Sequence, residues 1–272
     1  MTTHSPAPSA VTRWGILGAV GVVFAIPIVA MIEFTLRKGL EGGYSADRWT
    51  ALFTGQLDNS YRGVWVGLGN SVTLAIVTVV LVLMLLTPTM VLVDLRMPRL
   101  KRLLEFVCLL PISIPAIVLV VGLAPLYGVI SRLAGSGVWT LALAYGILVL
   151  PFAYRALRTN LDAIDVATLS EAARASGAGW GTVMLRIIVP SLKRGLLAAA
   201  FITIAVVLGE FTIASLLSRV NLQTALLIVS KADPFTAVIF ALLALAFAFI
   251  LLLVIGRVGA GSPSSPTDRS TS

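Results

Sequence analysis

Few side chains in this sequence are equipped for chemistry. There is one cysteine, Cys108, and one histidine, His4. A reactive thiolate needs a nearby cation or base, and Phe106-Val107-Cys108-Leu109-Leu110 offers neither. Cys108 reads as a small buried hydrophobe. His4 sits in a polar, Pro-containing tail, and one histidine cannot build a zinc site or a catalytic triad. The sequence contains no G-x-x-x-x-G-K-[ST] pattern and no Gly-Lys dipeptide, so the chain cannot cradle ATP in the P-loop manner. No catalytic residue, metal ligand or resident cofactor is expected. Two features stand out against this background. Glu210 is the only acidic residue inside a long apolar run, end positions such as Glu105 aside, and the segment from Arg155 to Arg194 carries Glu, Ala, Gly and Pro in a spaced pattern.

The elements that must position these residues are set by composition. Apolar residues make up 58% of the 272, charged residues only 12%, and the mean hydropathy is +1.00. That leaves too little polar surface for a soluble chain of this length and points to an integral membrane protein. A spanning helix needs about 20 apolar residues. Runs of that kind cover 14–32, 63–93, 106–131, 133–154, 195–218 (interrupted by Glu210) and 234–256. The pattern predicts an all-α polytopic bundle of six transmembrane helices. The runs are continuous rather than alternating, which excludes a β-barrel. The first run exceeds a signal-peptide core and no small-x-small cleavage site follows it, so it reads as a retained helix. The second, at 31 residues, is longer than one span and must tilt or protrude.

With six spans and a cytoplasmic N-terminus, 13 of the 20 basic residues fall on the inside. The positive-inside rule therefore places both termini in the cytoplasm. The 94–102 loop, with Arg96, Arg99, Lys101 and Arg102, is the strongest single determinant and meets anionic headgroups. The net charge of +8 records topology rather than nucleic-acid binding. The expected organisation is a disordered cytoplasmic tail over 1–13, a transmembrane domain over 14–257 and a second disordered tail over 258–272.

The connection between the fourth and fifth runs, about 155–194, is forty residues long, against two to eight for an ordinary helical hairpin. It should have structure of its own. Thr168-Leu169-Ser170-Glu171 fits a capping box with Thr168 as N-cap and Glu171 reaching back. Ala172, Ala173 and Ala175 favour helix, and Gly177 and Gly179 end it. A second segment follows from Trp180 to Val189, and Pro190 suits the first turn of the next helix. The result is a short surface helix with a small-residue face. Such a face fits a groove on another protein, and an interfacial anchoring helix is the alternative reading.

Glu171-Ala172-Ala173, Gly177 six residues after the Glu, Ile187 sixteen after and Pro190 nineteen after resemble the EAA loop of binding-protein-dependent ABC importer permeases. Val189 stands where that pattern usually has Leu. Asn70-Ser71, Leu110-Pro111-Ile112-Ser113-Ile114-Pro115 and Ile117-Val118 are similar to permeases of the polyamine, iron(III), sulfate and molybdate group. The likeness spans most of 64–256. It implies the membrane subunit of a type I importer with the MetI-like fold, in a bacterial inner membrane. The implied partners are two ATPase subunits that bind ATP and Mg, a second permease subunit (a heterodimer is favoured over a homodimer), an extracytoplasmic solute-binding protein and membrane lipid. Nucleic acid is not expected.

On this resemblance Glu171, Ala172, Ala173, Gly177, Ile187 and Pro190 couple the chain to its ATPase. Glu210 lies about 12 Å from Ser218 if the helix is continuous, in the outer half of the bilayer. A carboxylate there must face protein or water. It is a candidate for the translocation pathway, or a structural hydrogen-bonding group. Asn70 and Ser71 are candidates of the same two kinds. Pro111, Pro115 and Pro125 should interrupt the third span. Polyamine is the preferred solute, with aminophosphonate, iron(III) or an inorganic anion as alternatives. The competing function is an ion-coupled secondary transporter, which should carry paired broken helices and several buried ionisable groups.

Overall fold

The computed structural model describes residues 9–39, 42–54 and 61–260. Most of the two expected tails, 1–8 and 261–272, lies outside the described residues. Among the described residues the chain is all helical apart from one isolated antiparallel bridge, Arg37 with Tyr44. It divides into two compact units, Arg62–Ala225 with Ala248–Ser272, and Met1–Tyr61 with Leu226–Phe247.

In the smaller unit α1 runs over Ala10–Leu36, with the Ser9 hydroxyl accepting from the Thr12 amide at 3.2 Å. It thus starts before Trp14 and takes in residues expected in the tail. Trp14 and Phe24 are exposed and Thr35 alone is buried along it, as suits a helix apolar all round in a membrane. Helix α2, Asp47–Phe53, folds back on the end of α1. The Trp49 indole N–H donates to Thr35 at 3.0 Å, and Arg48 donates to the Arg37 carbonyl at 2.7 Å. Phe34 stacks on Phe235 at 4.7 Å and Arg48 lies 4.5 Å above the Phe235 ring.

The larger unit is built on three mutually packed helices: α3 (Arg62–Arg96), α6 (Ala142–Leu161) and α10 (Lys193–Gly209). At 1.5 Å per residue α3 is about 50 Å long, well beyond the hydrocarbon core, as its sequence requires. The helices interlock through Leu74, Val82, Leu86, Tyr145, Val149, Leu157, Ala199 and Val207, all buried.

Several boundaries depart from those expected. The third run is interrupted, as its prolines predict, and its helices begin earlier, at Lys101. Helix α4 covers Lys101–Leu109, a 3₁₀ turn follows over Leu110–Ser113, and α5 begins only at Ala116 and ends at Ala134. The cause is Pro115: it forces Ile114 out of the helical region, to φ −103° and ψ 118°. Pro125 sits inside α5 without ending it. The fourth run begins late. A loop through Gly135, whose φ is +80°, and a 3₁₀ turn over Val138–Leu141 precede α6, which then continues through Arg155 and Arg158. Arg155 is exposed; Arg158 is accommodated because its Nη1 donates to both Asp94 oxygens, at 2.9 and 2.8 Å, while the guanidinium also pairs with Asp162. Lys101 joins this cluster at 3.6 Å from Asp162. The Arg158 guanidinium, foremost through its hydrogen bond, holds the Asp162 carboxyl below the usual carboxylate range.

The fifth run is also broken. Helix α10 stops at Gly209, Glu210 is extended (φ −84°, ψ 127°), and α11 covers only Thr212–Leu216. Two further helices follow, α12 (Leu222–Ala232) and α13 (Pro234–Ala260). By length and apolarity, four described helical stretches can cross a membrane: Ala10–Leu36, Arg62–Arg96, Ala116–Ala134 and Val138–Leu161. The pair Trp180–Ser191 and Lys193–Gly209, bent by 74°, adds a fifth if counted as one span.

Candidate functional site

The segment between α6 and α10 forms the structured connection expected from its length. Helix α7 spans Val166–Ala175. Its N-cap is Asp165, not Thr168. The Asp165 carboxylate accepts from the Thr168 amide at 3.1 Å and from the Thr168 hydroxyl at 2.6 Å. Asp is at least as strong an N-cap as Thr, and placing it here lets Val166 bury as the first helical residue. Glu171 therefore lies mid-helix, exposed, rather than in a capping box. The same bonds, that from the Thr168 hydroxyl first, lower the Asp165 pKa.

A depressed folded-state pKa means the cap stabilises above the unfolded carboxylate pKa and is lost as pH falls through the folded one. Removing the cap leaves the Thr168 amide without its side-chain partner. Asp165→Ala is expected to speed amide hydrogen exchange in the first turn of α7, while Asp165→Asn, which keeps an acceptor, leaves exchange close to wild type.

The far end of α7 is a complete Schellman cap. The Gly177 amide donates to Arg174 at 2.9 Å and the Ala178 amide to Ala173 at 3.1 Å. Gly177 takes φ +84°, where a side chain is strained. Val166, Ser170 and Ala173 face the bundle, and Ala167, Glu171, Ala172 and Ala175 face out. Helix α7 packs against α3 and against the segment after it. That segment comprises α8 (Trp180–Val183), a π turn over Met184–Ile188 and α9 (Val189–Ser191). Ile187 lies in the π turn and Pro190 in α9, which ends at the bend before α10. Of the six residues singled out here, Glu171, Ala172 and Gly177 are exposed and Ala173 is half-buried. They share one short, doubly capped helix; Ile187 and Pro190 sit at the root of the next.

The other three, Asn70, Ser71 and Glu210, meet at a second place. The Asn70 amide donates to the Val220 carbonyl at 2.8 Å, and the Ser71 hydroxyl accepts from the Leu222 amide at 2.9 Å. Both fasten α3 to the turn before α12. The Glu210 carboxylate accepts from the Ile213 amide through both oxygens at 3.0 Å, capping α11. Its carbonyl accepts from the Asn221 side chain at 2.9 Å. Asn221, fully buried, is the hub of this junction and was not singled out from sequence. It forms a reciprocal cap with Thr224: the Thr224 amide donates to the Asn221 side chain at 2.8 Å and the Asn221 amide to the Thr224 hydroxyl at 2.9 Å. The Asn-x-x-Thr spacing carried that signal. Gly67 permits the close approach, since a Cβ there would lie 2.7 Å from the Asn221 carbonyl oxygen.

The bundle thus presents a capped, exposed helix of small residues at one place and a broken helix braced by polar side chains at another. A sequence model of the family described as "Binding-protein-dependent transport system inner membrane component" matches residues 91–260, more than half the chain and all of both sites except Gly67, Asn70 and Ser71. The chain belongs to this family. It is an integral membrane permease of the ABC transporter class, in a family of transport proteins. It is 29% identical over 174 residues to the "Probable ABC transporter permease protein y4fN" of Sinorhizobium fredii (strain NBRC 101917 / NGR234). That match takes in 60% of this permease but only 30% of the relative's own length.

Proposed function

We propose that this permease is a membrane subunit of an ATP-driven importer, carrying a small solute delivered by a binding protein into the cytoplasm of a bacterium. The observation that carries the reading is α7. A short helix capped at both ends, with Glu171, Ala172 and Gly177 exposed, is a docking element held ready for a partner. The chain holds no nucleotide motif, so the partner is the ATPase that binds ATP and Mg. In this reading six spans place both termini and α7 on the cytoplasmic side of the inner membrane. A second permease subunit, related rather than identical, completes the path. Affinity purification in mild detergent tests it: an ATPase subunit and a second permease should come down with the chain, and a chain recovered alone overturns it.

The junction at Glu210 belongs in this reading to the wall of the path, where irregular backbone is tolerated inside a membrane. Its carboxylate is committed to α11, which argues against an ion-coupling site and so against a secondary transporter. Glu210→Gln retains one acceptor for the Ile213 amide. It is expected to leave uptake kinetics near wild type, whereas Glu210→Ala, losing a cap worth about 1 kcal/mol, lowers thermal stability. A large fall in uptake by Glu210→Gln at unchanged stability would make the carboxylate a solute ligand. Polyamine is the solute proposed. Stimulation of the reconstituted ATPase by binding protein loaded with spermidine supports it; stimulation by aminophosphonate, iron(III) or an inorganic anion instead replaces it.

A further inference from the structure

We infer that Trp180 is a positioning residue that locks α7 to the end of α3, so that motion imposed on α7 reaches the bundle. The inference rests on the reading of α7 as the ATPase-docking helix. Between α7 and α8 the chain turns through Gly177-Ala178-Gly179, and a Cβ on either glycine would meet nothing within 4 Å. The Schellman cap and the packing of α7 on the following segment shape this joint, but neither ties it to the end of α3. Three side chains bridge it. The guanidinium of Arg174, in the last turn of α7, lies 4.7 Å from the centre of the Trp180 ring. The guanidinium of Arg96, the last residue of α3, lies 5.2 Å from the same ring. Both are within the roughly 6 Å over which a ring quadrupole holds a cation.

Two further observations favour the ring contacts over ordinary packing. Trp180 is 41% exposed, so burial alone does not explain a tryptophan here. Trp180 and Arg96 themselves line an open pocket of about 320 Å³ with Pro88, Val91, Leu95 and Met184, so the ring is not enclosed by packing on that side. Arg96 and Arg174 carry like charges drawn to one ring, and the attraction of each to that ring offsets their mutual repulsion. Removing the ring therefore loosens α7, α8 and α3 together.

The test uses the complex reconstituted in liposomes with its ATPase and binding protein. Trp180→Leu keeps apolar bulk without a π face, and Trp180→Phe keeps a ring. Trp180→Leu is expected to retain the ATPase subunit while solute taken up per ATP hydrolysed falls about fivefold, with Trp180→Phe within about twofold of wild type. Trp180→Leu coupling like wild type, or losing the ATPase subunit, overturns the proposal. So does Trp180→Phe as uncoupled as Trp180→Leu. A second measurement needs no ATPase: the Tm shifts of Arg96→Gln and Trp180→Leu in detergent should be non-additive, because each removes the same contact. Additive shifts overturn the contact itself. If the shifts are non-additive but Trp180→Leu stays coupled, a Glu171→Ala, Gly177→Asp double variant separates the cases. When that variant is uncoupled only the role of Trp180 falls; when it too is coupled, the reading of α7 falls with it.

Discussion

The Glu171→Ala, Gly177→Asp double variant is expected to insert in the membrane at wild-type levels and to lose solute uptake. Glu171 is exposed and caps nothing, so its removal leaves the helix intact. At Gly177 an Asp side chain has open space around it within this chain. Its cost to the fold is that of a left-handed residue, about 1 kcal/mol, and Asp tolerates that conformation better than most. The loss of function must therefore come from outside the chain, where a helix seated in a groove has no room for an added carboxylate. The check is substrate-stimulated ATPase activity in the assembled complex. Normal stimulation sinks the assignment of α7.

The second large effect is expected at the junction of α3, α10 and α12. Asn221→Ala removes the donor to the Glu210 carbonyl and the acceptor of the Thr224 amide, leaving both half-buried groups without these partners. Each such loss costs about 1–3 kcal/mol. The variant should melt well below wild type in detergent and accumulate poorly. Gly67→Val attacks the same junction from the other side, because its first carbon already meets backbone at 2.7 Å, and overpacking of that kind costs about 1–3 kcal/mol. Both variants should show disrupted contacts between α3 and the 219–222 turn, read by cysteine cross-linking. Wild-type melting of Asn221→Ala would mean the junction does not hold the broken helix.

Much of this was legible in the sequence, and the misses have physical causes. Charge-free runs located the apolar helices, because the bilayer penalises unpaired charge strongly. They misplaced the ends, because a helix continues through charges that find partners, as Arg158 does with Asp94 and Asp162. They also pass over breaks that involve no charge; the prolines signalled the break before Pro115, but not that α5 would run on through Pro125. The helix of the connecting loop was legible, but its start was not. Asp165 and Thr168 are both good caps three residues apart, and burial of Val166 decided between them. Glu210 was visible as an anomaly, yet its commitment to α11 was not, since only a broken helix brings the Ile213 amide to it. The bonds from Asn70 and Ser71 cross 150 and 151 residues of sequence, and no local pattern encodes such a pairing.

The 74° bend between Trp180–Ser191 and Lys193–Gly209 has a mechanical consequence. The first arm, twelve residues or about 18 Å at 1.5 Å per residue, meets the second nearly at a right angle. Leu192, fully buried, pins the corner. Two arms joined this way have the geometry of a bell crank. A push along the first arm arrives at the second as torque about the corner, swinging the far end at Gly209 through an arc. On the proposed reading of α7, a small displacement delivered by the ATPase would change direction at this corner and reach the Glu210 break as rotation rather than compression.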